Sequence, residues 1–326
     1  MEIKTELCFR EFTDFLKYSE DIKKSSDITL YNYYRDLIIF FRYMKFIKGK
    51  AKPEQKIEDI DITDINLDFI EKITLDDIYR YFYYLTEIRE NSPATRARRV
   101  SSMRMFFRYL HLTVEVLEKD PTEKIEFPDI KKKPIQYMNE ADCIRLLNSI
   151  DGVNMERDYC ILVIFINCGV RLNELVNLND TDIQPDGTVT IKGRGTQKRT
   201  IYFNQACMEA LQEYQSIKEE FFKGKSYDHH AIFVGKTGKR LTGRWIEEIV
   251  KKRMKKSGFG EMGLSPNKLR HTSAMAMYRR GVDVSVLKEI LGHKGMTATQ
   301  IYTRTLESQL ESAMKTNSIS RRKNKK

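Results

Sequence analysis

Between Asp120 and Pro134 the chain meets three prolines, Pro121, Pro128 and Pro134, together with the triplet Lys131-Lys132-Lys133. Proline in a helix interior deletes a backbone donor and clashes with the preceding turn. No long helix can therefore pass through this stretch, and its polarity keeps it out of a core. The hydrophobic pattern also changes character across it. Residues 1–118 read as helical throughout, whereas residues 137–326 mix helices with one pair of alternating strands. The expectation is a mainly α protein with a small antiparallel sheet. It would comprise a helical domain (1–118), a basic proline-containing linker (119–136) and an α+β domain (137–326). At 326 residues the chain is long enough for each half to bury its own core.

In the first half, Phe9, Phe12 and Leu16 mark an amphipathic helix. A second follows the candidate caps Ser25, Ser26 and Asp27, with Leu30, Tyr34, Leu37, Phe41 and Met44 recurring at spacings of four and three. Thr74 is placed to cap a tyrosine-rich helix reaching about Glu87. Asn91-Ser92-Pro93 opens a fourth helix with a cap and a first-turn proline. Val100, Met103, Phe107 and Leu110 form its buried stripe, while Arg96, Arg98, Arg99, Arg104 and Arg108 supply charge over the remaining surface. Arginines so placed either keep a solvated helix soluble or track a phosphate backbone.

The second half begins with Asn139 as a helix cap. The densest apolar run, Tyr159 to Val170, is interrupted by Asn167 and is too short for a membrane span, so it predicts a buried helix ended by Gly169. Arg171 and Glu174 lie three apart on the next helix and share a face. Asp186-Gly187 is a turn signal. Thr188 to Lys192 and Arg199 to Phe203 alternate as two strands around the loop Gly193 to Lys198. A helix from Gln205 to Phe222, a short strand Ile232-Phe233-Val234 and a basic helix capped by Thr242 follow. Pro266 and Gly281 bound a helix of about four turns. Asp283 or Val284 restarts the chain in a helix that Leu291-Gly292-His293 breaks, and Thr297 or Thr299 can cap a turn carrying Tyr302. Leu306, Leu310 and Met314 then form a narrow apolar stripe that needs a partner surface.

Net charge is +11 with a pI near 9.2, which favours a polyanionic partner but by itself fits ribosomal, membrane-surface and DNA partners alike. The five cysteines are scattered, odd in number and without a C-x-x-C pair, as expected of reduced thiols in cytosol rather than of a disulfide frame or zinc site. A chain opening with Glu2, Lys4 and Glu6 is not expected to carry a secretory signal.

Three polar side chains that helix formation does not demand punctuate the last third: Arg270, His293 and Tyr302. Their settings are Leu269-Arg270-His271-Thr272, Leu291-Gly292-His293 and Ile301-Tyr302-Thr303, in that order. Upstream stands Gly169-Val170-Arg171-Leu172-Asn173-Glu174-Leu175. This ordered series resembles the catalytic domain of the tyrosine recombinases, the phage-integrase family that includes the Xer and Cre recombinases. Thr95-Arg96-Ala97-Arg98 and Phe106-Phe107-Arg108-Tyr109-Leu110 also look like that family's core-binding domain.

The resemblance implies a cofactor-independent DNA strand transferase. Arg171 and Arg270 would hold a phosphate, Tyr302 would attack it, His293 would hydrogen-bond it, and a hairpin lysine would protonate the leaving 5′-oxygen. Glu174 would steady Arg171. Partners would be double-stranded DNA carrying a specific site and further protomers, in a homotetramer held through the C-terminal helix, in the cytoplasm at the nucleoid and not at a membrane. Arg96, Arg98, Arg99, Arg104, Lys131, Lys132 and Lys133 become the candidate DNA contacts.

Two positions depart from the family pattern. Arg194 stands where the hairpin lysine usually does, which favours Lys198 as the acid, with Lys192 as the weaker candidate. Asn267 stands where a histidine is common, and an amide cannot accept a proton in catalysis. His271, a quarter-turn from Arg270, is not expected to substitute. These departures favour a mobile-element integrase over Xer-type resolution of replicon dimers, with a type IB topoisomerase as the more distant alternative.

Overall fold

The computed structural model describes residues 2–52, 54–125, 135–193, 198–303, 305 and 306. Lys131, Lys132, Lys133, Arg194, Leu310 and Met314 lie outside the described residues. By internal contacts the chain divides into two compact units, Met1–Lys132 and Lys133–Lys326.

The first unit is helical, and its caps explain where each helix begins. Helix α1 spans Arg10–Asp21 and α2 Asp27–Ile47, the latter started by Ser26, whose hydroxyl accepts from the Thr29 amide. A short α3 (Leu67–Glu71) precedes α4 (Leu75–Tyr83), where Thr74 and Asp77 form a reciprocal capping box. Helix α5, Pro93–Arg108, starts with the Ser92 cap and the proline in its first turn. Both α4 and α5 end in a π-turn, Tyr84–Ile88 and Tyr109–Thr113, which the residue pattern does not announce.

The core of this unit is aromatic. Phe106 meets Phe9, Phe15 and Phe41 edge to face at centroid distances of 6.2, 5.5 and 5.3 Å. Such pairs contribute about 0.5–1.5 kcal/mol each beyond the area they bury.

Helix α5 turns two of its arginines away from the expected role. Arg99 is buried, with its guanidinium 4.0 Å from Asp36 and 3.3 Å from the Tyr81 hydroxyl. Arg98 pairs with the same carboxylate, which also accepts from Ser102 at 2.7 Å. The cause is Asp36 itself, an acid inside an aromatic core that must be neutralised. Arg96 donates to Thr86 and Arg104 to the Ile125 carbonyl at 2.6 Å, while Arg108 is exposed. Arg99 is therefore no surface phosphate contact, and Arg98 is in large part occupied.

In the second unit α6 (Glu140–Asn148) is capped by Asn139, and α7 (Met155–Cys168) is the central helix, with Cys160 to Phe165 all buried. Gly169 closes α7 with a positive φ of 60°. After α8 (Leu172–Val176), strands β1 (Thr188–Lys192) and β2 (Lys198–Tyr202) pair antiparallel with Lys192 opposite Lys198. Then come α9 (Gln205–Phe221), α10 (Gly243–Lys256), α11 (Pro266–Arg279) and α12 (Val284–Leu291).

The stretch from Ile232 to Val234 is not a strand. Only single bridges flank it, Asn179 with Ala231 and Val234 with Arg240. Its buried apolar side chains serve the core without a ladder to join. Among the described residues no helix is long and apolar enough to cross a membrane.

Candidate active site

The C-terminal end of α12 organises the site. A helix leaves its last carbonyls without intrahelical donors, and its dipole makes that end negative. Gly292, at φ +61°, stops the helix, and three arginines from three other segments fill the vacancy. Arg199 Nε donates to the Ile290 carbonyl at 2.9 Å, an Arg270 Nη to the Leu291 carbonyl, and Arg171 Nη2 to the Gly292 carbonyl at 2.8 Å. Successive carbonyls thus gather three guanidiniums beside the turn that carries His293.

Three adjacent cations repel, and Glu174 offsets them from below. Its buried carboxylate receives two N–H groups from Arg199, at 2.5 and 2.8 Å, one from the Arg171 side chain at 2.8 Å and the Arg171 backbone amide at 2.7 Å. Arg270 approaches it to 4.0 Å. Burial alone would raise the Glu174 pKa, but the bonds from Arg199 and Arg171 outweigh it and bring the value down to about 2. The fork-to-fork pairing with Arg199 is the geometry guanidinium and carboxylate favour.

Arg171 precedes α8 as its cap residue, so its side chain leaves the helix end with 40% of its surface open. Arg270 is the opposite case. It is buried, with a further bond from Nη1 to the Gly169 carbonyl at 2.6 Å, and burial together with Arg171 lowers its pKa to about 10. Arg270 remains charged at neutral pH, and it stands beside Arg171. Each still has N–H groups beyond those already engaged, since a guanidinium carries five.

His293 Nδ1 lies 2.8 Å from the Thr299 hydroxyl. Burial, with Arg270 and Arg171 close by, lowers its pKa to about 4, so the ring is neutral under ordinary conditions. Tyr302 follows in the helical residues 300–303 and is fully buried against Ala274, Met275 and Leu291. Burial raises the phenol's pKa, while the charges of Arg270 and Arg171 pull it back. Its hydroxyl is 3.0 Å from Nδ1 of His271.

Of the expected residues, Arg171, Glu174, Arg270, His293 and Tyr302 come together. Lys198 is exposed at the start of β2, and across from it the Lys192 ammonium is held by Asp182 at 3.0 Å. Asn267 is exposed on the first turn of α11. Two members escaped the sequence reading. Arg199 shares the inward face of β2 with the buried Ile201, and a charged residue at an inward strand position is the signal that it has a partner inside. His271 is the other, a quarter-turn from Arg270 on α11. Arg270 turns to the Leu291 carbonyl while His271 turns to the Tyr302 hydroxyl, so the quarter-turn lets neighbouring residues serve different partners.

A mostly helical fold with a small hairpin, presenting an arginine cluster, a histidine and a tyrosine, defines a class of DNA-breaking and rejoining enzyme. Residues 136–309 match the model of the phage integrase family, and the chain belongs to that family: it is a tyrosine recombinase, a DNA strand-transferring enzyme that acts in site-specific recombination. It is 40% identical over 308 residues to tyrosine recombinase XerC of Caldanaerobacter subterraneus subsp. tengcongensis, covering 94% of this chain and 86% of that one. Identity to tyrosine recombinase XerC of Thermodesulfovibrio yellowstonii is 31%, over 89% of this chain and 90% of that one. Among solved structures it shares the fold of the XerH site-specific recombinase bound to a palindromic difH substrate in a post-cleavage complex. That match has a TM-score of 0.68 at 20% identity, over 93% of this chain and 84% of that one.

Proposed function

We propose that Tyr302 attacks a DNA phosphodiester held by Arg171 and Arg270, forming a 3′-phosphotyrosyl bond and releasing a 5′-hydroxyl. The phosphate's charge repels nucleophiles, and its transition state spreads more charge over the non-bridging oxygens. Guanidiniums match that charge with paired N–H groups fixed in advance. The Thr299 hydroxyl can donate to Nδ1 of His293, which leaves Nε2–H to donate to the phosphate. Lys198 protonates the leaving oxygen, since Lys192 is occupied by Asp182. The bond energy stays in the phosphotyrosine, so a 5′-hydroxyl from a partner duplex reverses the attack and exchanges strands through a four-way junction. No ATP or metal is required by this chemistry.

The observation that carries this reading is the gathering of Arg199, Arg270 and Arg171 on the consecutive carbonyls of Ile290, Leu291 and Gly292, just before His293, with Arg270 and Arg171 within electrostatic reach of Tyr302. On a nicked suicide substrate, Tyr302→Phe is expected to bind DNA as the native protein does and to leave no SDS-resistant adduct. An adduct that survives the change would remove Tyr302 from the role.

The same reading places a homotetramer on DNA in the cytoplasm, joined by the segment after Tyr302, with the first unit and the linker lysines gripping the duplex. Resolution of replicon dimers is the role favoured by the likeness to XerC proteins across nearly the whole chain. Integration of a mobile element is the second reading, favoured by Asn267 and Arg194 at positions where the family has other residues. Mapping the DNA ends joined in cells that express the protein separates the two. Junctions between identical replicon sites support the first, and junctions between an element and unrelated target DNA the second.

A further inference from the structure

We propose that His271 is the catalytic base that takes the Tyr302 proton as the phenol attacks. The inference rests on the assignment of Tyr302 as nucleophile and supplies what that assignment lacks. A neutral phenol attacking phosphorus must lose its proton, and no arginine can accept one. Asn267 cannot either. His271 stands one turn beyond Asn267 on the same face of α11, and its Nδ1 lies 3.0 Å from the Tyr302 oxygen, within the reach required of a base. It is the protein group hydrogen-bonded to that oxygen among the described residues.

The charged and titratable groups around it favour the role. Arg270 precedes it on α11, Tyr302 faces it from the residues after Thr299, and His293 lies on the turn after α12, close enough to feel the charge of His271. Burial and then Arg270 lower the His271 pKa, so the ring is neutral and ready to accept at neutral pH. His293 is neutral too and bonded to Thr299, so it adds no positive charge.

The step balances. The Tyr302 oxygen forms a bond to phosphorus, its proton passes to Nδ1 of His271, the bond from phosphorus to the 5′-oxygen breaks, and that oxygen takes a proton from Lys198. In the reverse attack the imidazolium returns the proton to the departing phenol.

The test is the single-turnover cleavage rate on a suicide substrate for His271→Asn, which keeps a polar group near Nδ1 without its basicity, measured from pH 5 to 9. The rate at pH 7 is expected to fall roughly 10²–10⁴-fold, with DNA affinity unchanged and the rate still climbing at pH 9 where the native enzyme has levelled off. A variant that cleaves within threefold of native, or faster, overturns the proposal; a faster one would make the bond a latch on Tyr302. If His271→Asn folds poorly, His271→Ala with added imidazole decides, restored cleavage supporting the role and none overturning it. Tyr302→Phe separates the two levels. An adduct without Tyr302 sinks the underlying assignment, whereas a blank Tyr302→Phe beside a fully active His271→Asn sinks only the base.

Discussion

Replacing Glu174 by Gln removes one negative charge from beneath three guanidiniums while keeping size and shape. Arg199, whose side chain is 13% exposed, then has no counter-ion among the described residues, and the Gln amide must point an N–H at one of the donors that Glu174 accepted. Breaking a buried ion pair on one side costs about 3–5 kcal/mol. An independent route agrees: a carboxyl held at about 2 instead of 4.5 has its charged form favoured by roughly 3 kcal/mol in the folded state. The sign follows from the depressed value. The contribution is fully present above pH 4.5 and is lost as pH falls towards 2. Urea unfolding of the full chain should therefore show Glu174→Gln destabilised by about 3 kcal/mol at pH 7, with the gap from native narrowing below pH 4.5. DNA cleavage should fall as well, because Arg171 loses its ion pair and keeps only the bond to the Gly292 carbonyl. A variant within about 1 kcal/mol of native at pH 7, or a gap independent of pH down to 3, would refute the claim that this carboxylate holds the arginines together.

Gly292→Ala places a Cβ 2.9 Å from Cδ of Arg199, which Glu174 and the Ile290 carbonyl hold in place, at a φ of +61° that itself costs about 1–2 kcal/mol for an L-residue. Thermal unfolding should register a loss of about 2 kcal/mol or more, together with impaired cleavage; an innocuous change would mean that Arg199 is free to shift. Lys198→Ala should slow cleavage roughly 10²–10⁴-fold, and a substrate with a 5′-thiol leaving group, which needs no proton, should restore it. Without that rescue, Lys198 is not the acid.

Helix starts were legible because they are local events. Ser26, Thr74, Ser92 with Pro93, Asn139 and Thr242 each satisfy amides within three residues of themselves, so composition at one point suffices to place them. What depended on distant partners was not. Arg98 and Arg99 look like surface charge until Asp36, 62 residues before Arg98, is found inside the aromatic core. Ile232 to Val234 carries strand-forming residues, but a strand needs a ladder and the neighbouring segments offer only isolated bridges.

The site divides along the same line. Arg171, Arg270, His293 and Tyr302 could be picked out because their residue types are the chemistry, and order along the chain distinguishes them from ordinary surface polarity. Their arrangement could not be read, because the acceptors that gather the arginines are the backbone carbonyls of Ile290, Leu291 and Gly292, and a carbonyl has no letter in the sequence. The constraint surfaces at a single position. Gly292 both turns the chain left-handed and leaves room for Arg199, so the one residue with no side chain records where three cationic ones must pass.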